Sequence, residues 1–381
     1  MGVIQGISSP PARRVLVTIS SRGCHGNDLS SPYCAAVHIL TVTDAWEPQV
    51  NGVVRTIQAT NRVLEAWGHA TSLITPLDFR TIPCPTYPEI RLALFPAQLI
   101  RERILASRPD AIHIATEGPL GWAARSLCRR LRIPFVTAYH TRFPEYICAR
   151  SGVPLALSYR LFRHFHNAAA AVLAPTPAII QDLQARGFRN VQFWSRGVNH
   201  DIFKPSEPLA VDGRQPPVFL FVGRVAVEKN IQAFLDLDLP GEKWVAGEGP
   251  SLESLRRRYP SVRFFGVMSQ AELARLYSGA NVFVFPSRTD TFGLVMVEAM
   301  ACGLPVAAYP VEGPIDVIGS SDAGVLSQDL RAACLQAMEI PKDRAIARAA
   351  EFSWEKATGE FLSIHQAHAI DWNGPPARLK S

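Results

Sequence analysis

No Cys-x-x-Cys pair occurs among the seven cysteines (24, 34, 84, 128, 148, 302 and 334), which are odd in number and scattered. That spacing argues against both a disulfide framework and a structural zinc site, and it favours the cytoplasm. No apolar run approaches the roughly 20 residues of a membrane-spanning helix. Internal repeats and low-complexity segments are missing too. Near the start, Arg13-Arg14 is followed only by the short stretch Val15–Ile19, too short for a secretory core. Lysine is almost absent from the first half: of 22 cations in residues 1–205, 21 are arginine.

What is present reads as globular. The chain has 381 residues, 48% hydrophobic and 19% charged, enough for two ordinary domains. Residues 1–205 carry 22 Lys+Arg against 12 Asp+Glu, a net +10; the remainder carries 17 against 21, a net −4, for a total of +6. Such polarity fits a first half that meets something anionic, whether a membrane surface, an acidic substrate or nucleic acid, and equally a surface that is simply arginine-rich. No nucleic-acid-binding module accompanies the arginines, so nucleic acid is not expected as a partner.

Residues 1–36 are rich in Ser, Pro and Gly and read as an irregular extension, or as a start assigned too far upstream. From residue 37 the pattern becomes regular. AVHILTVT (36–43), HATSLITP, PDAIHIAT, PFVTAYHT and AAVLAPT are short apolar runs of the kind found in buried parallel strands, with helical segments between them. A proline-rich linker, KPSEPLAVDGRQPP (204–217), breaks the series. PVFLFVGR, KWVAGEG, VRFFG, VFVFPS and LPVAAYP then start a second one. The expected fold is α/β, with two doubly wound Rossmann-like domains over 37–203 and 218–348 and a terminal helix over 349–370. The carboxyl-end loops of such sheets bind ligands, which places a site in the cleft between the domains.

In SRTDTFGLVMVEAMACGLPV (287–306), Asp290 lies in the loop ahead of a helix expected to start near Phe292-Gly293, and Glu298 lies on its second turn. Eight residues at 1.5 Å each would separate the acids by about 12 Å, roughly a diphosphate with a sugar on either end. Between them a helix N-terminus offers N–H groups and a positive dipole end to phosphate. Gly293 would let that phosphate approach the backbone closely. Carboxylates are strong acceptors for sugar hydroxyls. The alternative makes Asp290 an N-cap and Glu298 a buried acid paired with an arginine.

In FLFVGRVAVEKN (219–230), Arg224 and Lys229 follow directly on a strand, where they can clamp the same diphosphate from the other side; a solvated charged loop is the alternative. His140, in PFVTAYHTRFPEY (134–146), closes a strand of the first domain and faces the cleft, although a histidine there can be purely structural. Asn51-Gly52 lies in a strand-to-helix loop without a Gly-x-Gly-x-x-Gly fingerprint. Gly247 and Gly249 fit either a turn near a nucleotide or a plain tight turn. Asp236-Leu237-Asp238 mimics a metal-binding pair but has no strand before it, and it is read as a decoy.

The set NGVVRT, AYHTRFPEY, WSRGVNHDIFKP, FVGRVAVEKN, VAGEGP and SRTDTFGLVMVEAMACGLPV resembles the retaining glycosyltransferases of family four, which have the GT-B fold. The resemblance runs from Val37 to His368. It implies that Arg224 and Lys229 hold the donor diphosphate and that Glu298 binds the ribose hydroxyls. The first acid of the family's pair, a glutamate there and Asp290 here, would lie by the donor sugar; the side chain is shorter by a methylene, which leaves that contact open. The backbone of Phe292, Gly293 and Leu294 would face phosphate and sugar. His140 would contact the sugar near the reacting carbon, and Gly52 would lie under the diphosphate. Arg196-Gly197-Val198 matches the interdomain segment, and the helix around Trp354 matches the one that crosses back to the first domain.

The implied reaction retains configuration and needs neither cofactor nor metal, the nucleotide-sugar being a substrate. The wording around Asp290 is most similar to bacterial enzymes that glycosylate membrane lipids such as diacylglycerol from UDP-sugars. GDP-mannose-dependent α-mannosyltransferases share most of it, and the fold also hosts nucleotide-sugar epimerases and hydrolases. A lipid or glycan acceptor is therefore expected, with the chain cytoplasmic and peripheral to the inner face of the plasma membrane. YRLFRHFHN (159–167), where aromatics and cations interleave, fits an interfacial helix touching anionic lipid, or an ordinary amphipathic helix packed by Tyr159, Phe162 and His166.

Overall fold

The run Val218–Val222 is buried along its whole length and divides its side chains between two cores. Val218, Leu220 and Val222 pack into one, Phe219 and Phe221 into the other. Leu40 and Val42 likewise face one core of the first lobe while Ile39 faces another. Strands that bury both faces need helices on both sides of their sheet, which dictates the doubly wound arrangement. The computed structural model describes residues 36–49, 51–84, 87–214 and 216–373. Apart from Ala36, the extension expected over 1–36 lies outside them, as do Cys24 and Cys34. Among the described residues Cys128, Cys148, Cys302 and Cys334 are free thiols.

The first lobe runs β1 (His38–Val42), α1 (Gly52–Ala66), β2 (Ala70–Ile74), β3 (Thr81–Cys84), β4 (Tyr87–Ala93), α2 (Ala97–Ser107), β5 (Ala111–Ile114), α3 (Pro119–Leu131), β6 (Val136–Ala138), α4 (Phe143–Ser151), α5 (Leu155–His166), β7 (Ala171–Ala174), α6 (Pro177–Ala185) and β8 (Val191–Phe193). Its sheet is parallel, in the order β2-β1-β5-β6-β7-β8. The antiparallel pair β3–β4 is an insertion outside the alternation of strand and helix. Residues 204–214 carry neither helix nor strand.

The second lobe runs β9 (Val218–Val222), α7 (Ile231–Leu235), β10 (Glu242–Ala246), α8 (Leu252–Arg258), β11 (Arg263–Gly266), α9 (Gln270–Gly279), β12 (Val282–Phe285), α10 (Leu294–Ala301), β13 (Val306–Ala308), α11 (Pro314–Ile318), β14 (Gly324–Leu326), α12 (Leu330–Ala337), α13 (Lys342–Ala349) and α14 (Trp354–Ala367). Its parallel sheet has the order β11-β10-β9-β12-β13-β14. The terminal helix expected from residue 349 begins later. Ser353 accepts a hydrogen bond from Lys356 N and caps α14, so the chain breaks between α13 and α14 instead of continuing.

Helix α14 packs against α1 and β5 of the first lobe, where Phe361 and His365 meet His113 and Trp194. Val198 pairs with Ser353, and its N–H donates to Phe352 O at 3.3 Å. A Cβ on Gly197 would lie 2.3 Å from Trp354 N, so only glycine allows this approach.

Candidate active site

Strand β9 leads to β10 on one side of its sheet, while β12 lies on its other side. The chain therefore leaves β9 and β12 in opposite directions and opens a crevice at their carboxyl ends, the usual ligand position in such sheets. Two loops line it, Gly223–Asn230 after β9 and Pro286–Gly293 after β12. They are tied together: Asn230 Nδ2 donates to Pro286 O at 3.1 Å, and Thr289 Oγ1 donates to Glu228 O at 3.3 Å.

Arg224 and Lys229 both lie on the β9 loop. Arg224 Nε is 3.9 Å from Glu228 Oε1, which gives Glu228 the role of a counter-ion. Lys229 Nζ donates to Asp290 Oδ1, so the expected phosphate ligand and the expected sugar ligand form one ion pair. Asp290 Oδ2 is buried without a partner among the described residues, as are Ser287 Oγ on the same loop and His140 Nε2. Each such atom costs about 1–3 kcal/mol unless a polar partner arrives.

Phe292 is buried against Phe352, and Gly293 caps α10 with φ +83°. A Cβ on Gly293 would meet Met296 Cε at 2.7 Å and Phe285 Cζ at 2.9 Å. Leu294 begins the helix, whose opening N–H groups point out towards the loop of Asp290. The turn Gly247–Gly249 needs its glycines for close packing. A Cβ on either glycine would strike a carbonyl oxygen, Gly223 O at 2.0 Å or Val225 O at 2.3 Å, because β10 leans on the Arg224 loop there. Asp236 accepts from Tyr259 Oη and lies by Arg258, in keeping with its reading as a decoy.

Glu298 sits on α10 and is only 5% exposed. Arg55 Nη1 of α1 approaches its Oε1 at 2.9 Å, and Tyr277 Oη of α9 donates to its Oε2 at 3.3 Å. Burial pushes the Glu298 carboxyl above its ordinary pKa, and Arg55 is the main opposing influence. The sequence alternative of a buried, arginine-paired acid is thus geometrically real.

His140 follows β6 and belongs to the first lobe. Arg196 Nη2 donates to its Nδ1 at 3.2 Å, and its ring lies edge-on to Trp194 at 5.6 Å. Burial, with Arg196 and His166 adding to it, lowers its pKa well below the ordinary value. The neutral ring therefore carries its proton on Nε2. Thr291 Oγ1 donates to the His140 carbonyl at 2.7 Å across the cleft. Gly52 opens α1, and Asn51 Oδ1 caps that helix by accepting from Val53 N and Val54 N.

Residues absent from the sequence reading complete the surroundings. Tyr146 of α4 is half-buried beside Lys229 and Asp290 and hydrogen-bonds with Thr289; desolvation raises its pKa while Lys229 opposes the shift. Gly313, with φ +89°, packs under the Asp290–Phe292 backbone, and Glu312 pairs with Arg142 of the first lobe at 3.2 Å. Asp44, at the carboxyl end of β1, accepts from Thr116 Oγ1, Leu120 N and Gly121 N, while burial lifts its pKa to about 6. Helix α5 buries Tyr159, Phe162, Phe165 and His166 and exposes Leu157, Arg160, Leu161 and His164. The aromatics of YRLFRHFHN are therefore core residues. Among the described residues no helix is long and apolar enough to cross a membrane.

The family description "Glycosyltransferase Family 4" matches residues 50–202, and "Glycosyl transferases group 1" matches residues 216–339. A sulfoquinovosyl transferase from Arabidopsis thaliana is 33% identical over 262 residues, covering 64% of this chain and about half (51%) of that protein. A GDP-mannose-dependent alpha-mannosyltransferase from Mycobacterium tuberculosis is 30% identical over 320 residues, 76% of this chain and 83% of that one. An alpha-monoglucosyldiacylglycerol synthase from Streptococcus pneumoniae is 29% identical over 348 residues, 79% and 78% respectively. Among solved structures, a sucrose-phosphate synthase from Thermosynechococcus elongatus superposes with a TM-score of 0.69 at 21% identity, over 87% of this chain and 98% of the other.

Proposed function

Because the chain belongs to the family-four glycosyltransferases of the GT-B fold, we propose that it moves a hexose from a nucleotide-sugar, a UDP-sugar first, to a membrane lipid such as diacylglycerol, with retention of configuration and without a metal. The observation that carries this reading is the crevice between β9 and β12. The pairs Arg224–Glu228 and Lys229–Asp290 and the start of α10 border it, with buried polar atoms on Ser287 and Asp290 that lack partners among the described residues. A hydroxylated anion satisfies all of them at once. Relatives named for diacylglycerol glucosylation support the lipid acceptor. Similarity to mannosyltransferases of comparable extent favours GDP-mannose as the second reading.

In this reading Arg224, Lys229 and the start of α10 stabilise the charge that grows on the departing diphosphate. Asp290 keeps Lys229 in place through Oδ1 and accepts a sugar hydroxyl through Oδ2. His140, neutral, donates from Nε2 to a sugar oxygen; it orients the sugar and transfers no proton. Glu298 accepts from the ribose. The acceptor hydroxyl attacks from the face the diphosphate leaves: the anomeric C–O bond to the diphosphate breaks as the new C–O bond forms, and the hydroxyl proton passes to the departing phosphate oxygen.

Exposed Leu157 and Leu161, one turn apart beside Arg160, give α5 the character of a membrane-facing helix. The test is nucleotide release by the purified protein with UDP- and GDP-sugars, with and without diacylglycerol in anionic liposomes. Lipid-dependent UDP release is expected. GDP release from GDP-mannose alone would replace the first reading with the second, and release indifferent to every acceptor would point to a hydrolase or epimerase. Arg224→Ala and Lys229→Ala should each reduce turnover at least tenfold, about 1.4 kcal/mol of barrier; unaltered rates in both would remove the diphosphate assignment.

A further inference from the structure

Arg55 reaches from the first lobe into the nucleotide half-site of the second. Its Nη1 lies 2.9 Å from Glu298 Oε1, while Tyr277 occupies one direction on Oε2. The two helix starts adjoin, since a Cβ on Gly52 would lie 3.6 Å from Leu294 Cδ1, and Arg55 is one turn further along α1. A carboxylate offers about four acceptor directions. With one on each oxygen used by protein donors, one on each is left, enough for the two vicinal hydroxyls of a ribose. We propose that Arg55 is a positioning residue of the nucleotide site, holding Glu298 ionised and oriented to accept from the ribose, so that nucleotide affinity depends on a side chain of the opposite lobe. The inference rests on the reading of Glu298 as the ribose acceptor.

Among the described residues the titratable groups facing Glu298 are Arg55 of α1, Tyr277 of α9 and Cys302, which caps the end of α10. Burial raises the Tyr277 phenol well above its ordinary value and the Cys302 thiol to about 12, so both are neutral at working pH. Among the described residues Arg55 alone opposes Glu298 with a full charge. Without it, burial prevails and the carboxyl takes up a proton closer to neutrality. A protonated carboxyl gives up one acceptor oxygen and the charge assistance that makes the ribose bonds strong.

The sign is fixed by linkage. A group that must be ionised to hold its ligand supports full affinity above its pKa and loses about tenfold per pH unit below it. Affinity for UDP, with GDP in parallel, is measured by calorimetry from about pH 5.5 to 9 for wild type and Arg55→Met, and expressed as a ratio at each pH so that the nucleotide's own titration cancels. The variant should approach wild type at the alkaline end and fall away on the order of tenfold per unit below the Glu298 pKa. A ratio constant with pH overturns the proposal, since lost packing alone has no reason to titrate. Thermal melts confirm folding, and Arg55→Gln replaces Arg55→Met if the latter is unfolded. Glu298→Gln separates the two layers. If it leaves affinity unchanged, or if wild type binds neither nucleotide, the ribose reading itself fails. If it weakens binding while the Arg55→Met ratio stays flat, only the role of Arg55 fails. In Arg55→Met/Glu298→Gln the pH dependence should disappear, and its persistence would also overturn the inference.

Discussion

Asp290 and Glu298 could be read from the sequence because an acid before a helix start and another on its second turn are sequence-local facts. Their partners could not. Lys229 lies 61 residues from Asp290, and Arg55 lies 243 residues from Glu298. Only the adjacency of β9 and β12 makes the first pair, and only the meeting of two lobes makes the second. Buried histidines show the same dependence on tertiary context. His365 of α14 is fully enclosed, its Nδ1 lies 2.7 Å from Phe361 O, and burial pushes its pKa down from the ordinary histidine value to about 4. The unfolded chain then binds a proton that the folded protein refuses. The stability this confers is complete above about pH 6.5 and is lost as the pH falls towards 4. Asp44, with its pKa raised to about 6, works in the opposite sense over part of that window, so the test compares variants. Between pH 7.5 and 5, wild type should lose about 2 kcal/mol more stability in urea unfolding than His365→Phe. Equal losses would place the acid sensitivity elsewhere.

Helices and strands followed from periodicity wherever the run was long or wholly apolar, as at β9 and α1. Ends and interruptions were less legible. The break between α13 and α14 depends on Ser353 capping, a choice that an amphipathic reading of the same residues does not reveal. Glycines were visible as letters but not as constraints: Gly247 and Gly249 are fixed by carbonyl oxygens of another strand's loop, and Gly197 by the backbone of Trp354. The last gives a prediction for the crossing helix. In Gly197→Ala the new methyl would overlap backbone, which cannot rotate away, so α14 must shift off the first lobe at a cost of about 1–3 kcal/mol. A lowered melting temperature with earlier amide exchange in α14 is the expected result. An unchanged melt would show that the 197–198 segment yields freely.

Across the whole molecule the lobes touch through Arg55–Glu298, Thr291–His140, Arg142–Glu312 and Ala178 N–Asp316, so each half of the site is steadied by the other. The surface of the first lobe makes its own prediction. Leu157, Arg160 and Leu161 are exposed on α5, and anionic lipid attracts a near-surface cation by roughly 1 kcal/mol. Replacing the leucines by serine and Arg160 by glutamine should lower retention on anionic liposomes severalfold at unchanged melting temperature; unchanged sedimentation would reduce α5 to an ordinary surface helix. By itself the sequence determined most of the parallel strands with many of their connecting helices, the doubly wound class and the acids and cations of the loops after β9 and β12, because periodicity and motif spacing act within a few residues. The tertiary structure alone decided which charges meet. It set Lys229 on Asp290, turned the aromatics of α5 inward and brought Arg55 to Glu298, because burial and ion pairing depend on distances in space that separation along the chain does not encode.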